Sequence, residues 1–199
     1  MDKNKGIKNL LTVVLLAGTG LLFVWAENNM DNFQLRILNL AAIFAILGLS
    51  MNLVIGFTGM FSLGHSGFMC VGAYTAAILT MSPASKELIY YMEPINPILA
   101  HIQWPIFPAI LMAGLVAAIF GILVGIPALR LRDDYLAIAT LGSAEIIRIV
   151  VTNTISITNG SLGLKDIPSI NSIWVYWGSA IVTIIVLKRI INSLSLIHI

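Results

Sequence analysis

Long apolar runs, broken by short polar or glycine-rich links, set the pattern of this chain. Six stretches are long enough, or nearly so, to cross a bilayer as helix, which takes about 20 residues. They are Lys8–Ala26, Leu35–Gly56, Ser62–Met81, Ile106–Ile126, Tyr135–Val151 and Ile173–Leu187, the last two being the shortest. The pattern predicts an all-α polytopic membrane protein with about six transmembrane helices. One stretch is unlike the rest. Gly56 to Thr80 reads GFTGMFSLGHSGFMCVGAYTAAILT, with Gly56, Gly59, Gly64, Gly67 and Gly72 set among Thr58, Ser62, His65 and Ser66. A segment that only sits in lipid has no use for so much glycine and hydrogen-bonding chemistry. Irregular or polar backbone at membrane depth is tolerated only where protein or a water-filled cavity surrounds it. This segment is therefore expected to face other helices or a pathway.

Composition supports the membrane reading. Of the 199 residues 58% are hydrophobic and only 10% charged, against about 25% charged in a soluble domain. With a mean hydropathy of +0.95, the chain cannot hide its apolar surface in a water-soluble core. A net charge of +2 is too small to suggest nucleic acid. The single cysteine, Cys70, rules out an internal disulfide and a Cys-based metal cluster, and reads as a small apolar packing residue.

The placement of charge sets an orientation. Lys3, Lys5 and Lys8 precede the first span, Arg130 and Arg132 follow the fourth, and Lys188 and Arg189 follow the sixth. With six spans all three groups fall on one side, which the positive-inside rule makes cytoplasmic, with the N-terminus. The opposite loops hold Glu27, Asp31, Glu87, Glu93 and Asp166, with Arg36, Lys86 and Lys165. Phe57–Phe61 is then a tight cytoplasmic-side turn. The first span also has the basic start of a signal peptide, and Val24-Trp25-Ala26 loosely resembles a cleavage site. Its length and the bulk of Trp25 favour an anchor, with Trp25 at the outer interface.

Two outer loops follow. Ser82–Pro105 holds Pro83, Pro94, Pro97 and Pro105, which argues against an uninterrupted helix. Its Tyr90, Tyr91 and Trp104 suit an interfacial or partner-facing surface. Asn153–Asn171 contains Gly160 and Gly163 as turn signals. The sequon Asn159-Gly160-Ser161 is too short a pattern to count.

Several positions carry packing or polar chemistry. Ala113, Ala117, Gly121 and Gly125 recur every four residues in the fourth span, a ridge that lets helix backbones approach. Gly72 and Ala76, and Ala41 and Ala45, read the same way. Glu145 and Arg148 lie inside the fifth span at a spacing that puts them on one face, where they can pair. They read either as a structural ion pair facing the bundle or as a gate or coupling element. Ser62 is placed to cap the third helix. His65 would then lie in its first turn, as a hydrogen-bonded structural residue or a proton carrier. His101 and His198 have no ligand partner at usable spacing, and no metal is expected. Asn39, Ser50 and Asn52 suit helix-to-helix hydrogen bonds or the lining of a polar path. Arg130, Arg132, Asp133 and Asp134 form a cytoplasmic turn, either solvated or touching a soluble partner. No Walker A, HExxH or GxSxG pattern occurs, and Asp133 and Asp134 are adjacent in a loop. The chain is not expected to be an enzyme or to carry a cofactor.

Three segments carry a resemblance to a known family. They are NLVIGFTGMFSLGHSGFMCVGAYTAAIL (Asn52–Leu79), GIPALRLRDDYLAIATLGSAEIIRIV (Gly125–Val150) and TNGSLGLKDIP (Thr158–Pro168). In this order and spacing they resemble the integral-membrane permease of branched-chain amino acid ABC importers, the LivM type, over most of Leu35–Arg189. That family more often has Ala at Gly67, Gly at Asp133 and Gly at Asn159. The resemblance implies a permease subunit in the bacterial inner membrane that forms part of a path for leucine, isoleucine or valine. It implies a second related permease beside it, two ATPase subunits below and a solute-binding protein outside, with no nucleic acid. Motif position and polarity point to Asn52, Gly56, Thr58, Gly59, Ser62, Gly64 and His65 for the path or its gating, with Glu145 and Arg148 in support. A permease for urea or short amides, and a stand-alone channel or secondary transporter, stay open as alternatives. A membrane-embedded enzyme would need a reactive constellation that the sequence lacks.

Family members continue into a second group of helices and a loop expected to dock the ATPase, so residues 1–193 read as the N-terminal part of a longer permease domain. The last six residues, Leu194-Ser195-Leu196-Ile197-His198-Ile199, are what CTG TCT CTT ATA CAC ATC encodes, a transposon end used in sequencing adapters. They are expected to be a non-native tail. A different codon string there overturns this expectation.

Overall fold

Apolar runs become helices, and short polar links set where they start and stop. The computed structural model describes residues 18, 20, 22–168, 170 and 172–192. Its elements are α1 (Asn32–Asn52), running on into a π turn at Leu53–Phe57, then α2 (His65–Thr80), α3 (Pro83–Ile89) and α4 (Pro97–Ala100). There follow α5 (Ile106–Ala128), α6 (Asp133–Asn153), α7 (Ile155–Thr158) with a 3-10 turn at Gly160–Leu162, and α8 (Ile173–Ile191). Residues 22–29 are also helical, and no strand occurs among the described residues.

Local chemistry explains several boundaries. Asp31 and Gln34 form a capping box at α1, the Asp31 N–H donating to Gln34 Oε1 at 3.2 Å. Ser82 Oγ accepts from the Ser85 N–H at 3.1 Å, and Pro83 opens α3 where its missing N–H costs nothing. Asn96 does the same for α4, accepting from the Ile98 N–H at 3.1 Å ahead of Pro97.

Two compact units result, Met1–Leu53 with Ile170–Ile199, and Val54–Ser169. In the first, α1 packs on α8. Residues 22–29 join α8 through aromatic contacts, the Phe23 ring lying 4.8 Å from Trp177 and edge-on to Trp174 at 6.2 Å. Trp174 Nε1 also donates to Glu27 Oε2 at 3.0 Å. The small pair expected to pack here, Ala41 and Ala45, is exposed, and Ala42 is the fully buried residue instead. The packed face of α1 is thus one residue on, about 100° around the helix. In the second unit, α2 packs against both α5 and α6.

Among the described residues, four helices are long and apolar enough to cross a membrane: Asn32–Phe57, Ile106–Ala128, Tyr135–Asn153 and Ile173–Ile191. They match the second, fourth, fifth and sixth predicted spans. The third differs. His65–Thr80 passes only together with Pro83–Ile89, across a bend of 117°. The first predicted span, Lys8–Ala26, lies mostly outside the described residues, as does the tail 194–199. The link after α1 is also longer than the predicted turn at Phe57–Phe61, because non-helical backbone continues to Leu63. On α5, Phe107, Leu111, Leu115, Ile119, Ile122 and Leu123 are all exposed. Such a surface suits hydrocarbon and not water. The chain is an all-helical, multi-pass membrane protein.

Candidate functional site

The glycine- and hydroxyl-rich segment leaves regular helix twice over. At Leu53–Phe57 the hydrogen-bond ladder widens to a π turn, a form that recurs at functional sites. Thr58 Oγ1 then donates to the Val54 carbonyl at 2.5 Å, giving that carbonyl a partner at the helix end. Gly59 follows with φ +71°, a conformation that side chains disfavour, and with open space where a Cβ would stand. Gly56, Phe57, Gly59 and Phe61 are exposed. Asn52, also exposed, is the last α-helical residue of α1.

The segment is fastened to α6 by one side chain that sequence reasoning passed over. Thr140 is buried, and its Oγ1 accepts from the Leu63 N–H at 3.0 Å while donating to the Leu136 carbonyl at 2.9 Å. Its signal was present in the four-residue spacing of Leu136, Thr140 and Ala144, all buried. The Thr140 bond also corrects the expectation for Ser62. With Leu63 tied to α6, the helix begins only at His65, after Gly64, and no side chain caps it. Ser62 Oγ instead accepts from Gly64 N–H at 3.5 Å. His65 lies in the first turn as expected, half-buried, and its Nδ1 is enclosed with no hydrogen-bond partner among the described residues.

Glycines set how closely α2 meets its neighbours. A Cβ on Gly64 would stand 3.4 Å from Thr140 Cβ, and one on Gly67 would stand 2.9 Å from Ala144 Cα. A Cβ on Gly72 would stand 3.7 Å from Ala117 Cβ on α5 and 3.9 Å from the Ala113 carbonyl. Gly72, Ala113 and Ala117 therefore come together, whereas Gly121 and Gly125 have open space beside them in this chain. Ala76 is half-buried.

Glu145 and Arg148 form a forked ion pair. Arg148 Nη2 donates to Glu145 Oε1 at 2.7 Å, and Nε donates to Oε1 at 3.1 Å and to Oε2 at 3.0 Å. One of the two sequence readings has this pair facing the bundle. The pair does not face the interior of its unit, since the Arg148 and Glu145 side chains are 69% and 50% exposed. The reason is register: Thr140, Ala144 and Ile147 take the buried face. A lone charge at the centre of a spanning helix costs about 2.5–3.5 kcal/mol on insertion scales, so pairing is favourable there. Arg130 and Arg132 are exposed in the turn before α6, and Asp133 and Asp134 are the helix's first two residues.

The two loops expected on the outer side are fastened to each other. Within the first loop, Lys86 is 1% exposed, and its Nζ donates to the carbonyls of Leu99 at 2.8 Å and Ile102 at 2.6 Å. Tyr90 Oη donates to the Ile157 carbonyl at 2.5 Å, Asn96 N–H to the Ser156 carbonyl at 3.1 Å, and Ser85 Oγ to Asp166 Oδ2. Burial, with the phenol of Tyr74 adding to it, pushes the Tyr90 hydroxyl up to about 12. Asn159, Gly160 and Gly163 all have positive φ, so the expected turn is there. Asn159 is 3% exposed and donates to the Gly163 carbonyl at 2.8 Å, which leaves the sequon no room for a glycan.

Helices clad in apolar side chains, with an irregular polar segment fastened to a neighbouring helix, define an integral-membrane protein. Residues 33–196 match the family described as "Branched-chain amino acid transport system / permease component", and the chain belongs to that family. It is 38% identical over 161 residues to "High-affinity branched-chain amino acid transport system permease protein LivM" of Escherichia coli (strain K12), covering 81% of this chain and 32% of that protein. The protein of the same name from Salmonella typhimurium gives the same identity and coverage. The match thus spans about a third of those relatives' length. No solved structure matches the chain significantly.

Proposed function

We propose that this chain is a permease subunit of an ATP-driven importer, forming part of the path for leucine, isoleucine and valine across the bacterial inner membrane. The single observation that carries this reading is the family match over residues 33–196, which takes in the irregular segment from Leu53 to Gly64. A second permease stands beside it, two ATPase subunits carry out hydrolysis, and a solute-binding protein delivers cargo from outside. The basic groups before the first span, after the fourth and after the sixth face the cytoplasm. Gly56, Thr58, Gly59, Ser62 and His65 contribute to the path or its gating, and so does Asn52 at the end of α1. Gly64 contributes by its close approach to Thr140. ATP and the loaded binding protein drive the switch only by favouring different arrangements of this segment.

The test is uptake of labelled leucine by the complete permease carrying this sequence, expressed with its neighbouring transport genes. Expected is uptake that needs the ATPase and is blocked by excess isoleucine or valine. Uptake blocked by urea instead reassigns the cargo, and uptake without an ATPase overturns the importer reading.

A further inference from the structure

The Glu145–Arg148 pair lies well inside a spanning helix yet points away from its own unit. Glu145 is about 15 Å along the axis from Tyr135 and about 12 Å from Asn153, at ~1.5 Å per residue. Leu141, Glu145, Arg148 and Thr152 follow at intervals of four, three and four residues, which places them in one stripe along α6, all exposed. A charged pair in such a place faces protein or water and not hydrocarbon. The Arg148 Nε and Nη2 bonds to Glu145 hold the pair in one orientation. The flanking residues narrow the choice. Ile138, Leu141 and Ile149 are 67%, 54% and 50% exposed beside the pair. The stripe thus presents a negative and a positive group next to branched aliphatic surface. An aliphatic amino acid has the complementary features: an ammonium, a carboxylate and a branched apolar side chain.

Resting on the importer reading, we propose that this stripe of α6 is a water-facing wall of the path, where Glu145 takes the α-ammonium and Arg148 the α-carboxylate of the passing amino acid. The pair closes on itself when empty and opens its fork to the cargo. Arg suits this role because its planar fork matches a carboxylate with two parallel hydrogen bonds.

The test uses the complete permease in its assembled complex, in membrane vesicles, with Cys70 and every other cysteine of the complex replaced by alanine as background. Single cysteines are placed at Leu141 and Thr152 on the stripe and at Leu115 on α5 as the lipid-facing control. Expected is labelling by a charged methanethiosulfonate at Leu141→Cys and Thr152→Cys at least about tenfold faster than at Leu115→Cys. Leucine slows this labelling, and 4-methylpentanoate or 3-methylbutylamine, each lacking one charge, does not. Arg148→Gln weakens leucine protection by about tenfold or more, as expected for losing a hydrogen bond to a charged group. Labelling no faster than the control means that a partner helix covers the stripe, and overturns the proposal. So does fast labelling without leucine protection in vesicles that transport leucine. If leucine is not transported at all, the leucine cargo of the importer reading fails; labelling slowed by the solute that is transported then upholds the stripe as a wall of the path, and labelling that this solute does not slow overturns it.

Discussion

A Cβ built on Gly67 of α2 lies 2.9 Å from the Cα of Ala144 on α6, closer than packed carbons approach. The two backbones meet here because neither residue has bulk, and small residues are what allow helices to associate closely in lipid. Gly67→Ala must push α6 away, and the Ile147 side chain, 3.2 Å from the same point, adds to the crowding. The expected cost is about 1–3 kcal/mol, read as a lower melting temperature in detergent. Ile147→Val in the same chain removes the Cδ1 at 3.2 Å and recovers part of it, whereas Ala144→Gly does not, because the Ala144 Cα at 2.9 Å stays. If Gly67→Ala melts as high as the parent chain, the close approach to Ala144 does not limit this helix pair. Relatives with Ala at this position are expected to hold these helices further apart.

Thr140 joins the irregular segment to α6 through the Leu63 N–H. Thr140→Val keeps the shape and removes the acceptor, which leaves a buried donor unpaired at a cost of about 1–3 kcal/mol. Faster amide exchange at Leu63 and its neighbours is the expected signature. Thr140→Ser restores protection because it keeps the hydroxyl. Equal protection in the valine variant would show that the Leu63 bond is dispensable.

Much of the fold was legible because apolar length is a strong signal. Helices α5 and α8 begin at Ile106 and Ile173, where the hydropathy pattern starts its fourth and sixth runs. Long-range backbone acceptors leave no such trace. Lys86 read as one charge in an outer loop, yet it is almost wholly enclosed because the Leu99 and Ile102 carbonyls receive its ammonium. Ser62 read as a cap from its place before an apolar run, and failed because Thr140, 77 residues away, claims the next N–H. Pairing of Glu145 with Arg148 followed from spacing alone. Which way the pair points did not, since that depends on Thr140, Ala144 and Ile147 meeting α2.

Tyr90 gives the loop contact a pH dependence. Its hydroxyl is raised from 10.0 to about 12, first by burial and then by Tyr74. In the unfolded chain the phenol ionises near 10, so between 10 and about 12 the unfolded state has lost a proton that the folded state keeps. Stability contributed by this group is therefore present below pH 10 and is lost as pH rises toward 12. Thermal melting in detergent across pH 9 to 12 is expected to show that fall, and Tyr90→Phe to flatten it while lowering stability at neutral pH through loss of the Ile157 bond. An unchanged slope in the phenylalanine variant would assign the pH dependence to another group.

Asn159 holds the second loop in a conformation few residues accept. Its φ is 60° and ψ 15°, and its amide donates to the Gly163 carbonyl at 2.8 Å while the residue stays 3% exposed. Three substitutions separate what it contributes. Asn159→Gly keeps the left-handed backbone and loses the hydrogen bond, at about 0.5–1.5 kcal/mol. Asn159→Ala loses the same bond and adds about 1–2 kcal/mol for a Cβ in the left-handed region. Asn159→Asp keeps the shape but sets a buried carboxylate against the Gly163 carbonyl, with no donor between them, and is expected to be the most damaging. Melting temperatures in the order Asn, Gly, Ala, Asp support this account. Alanine as stable as glycine would mean that backbone strain does not govern the site, and aspartate as stable as asparagine would mean that water reaches it.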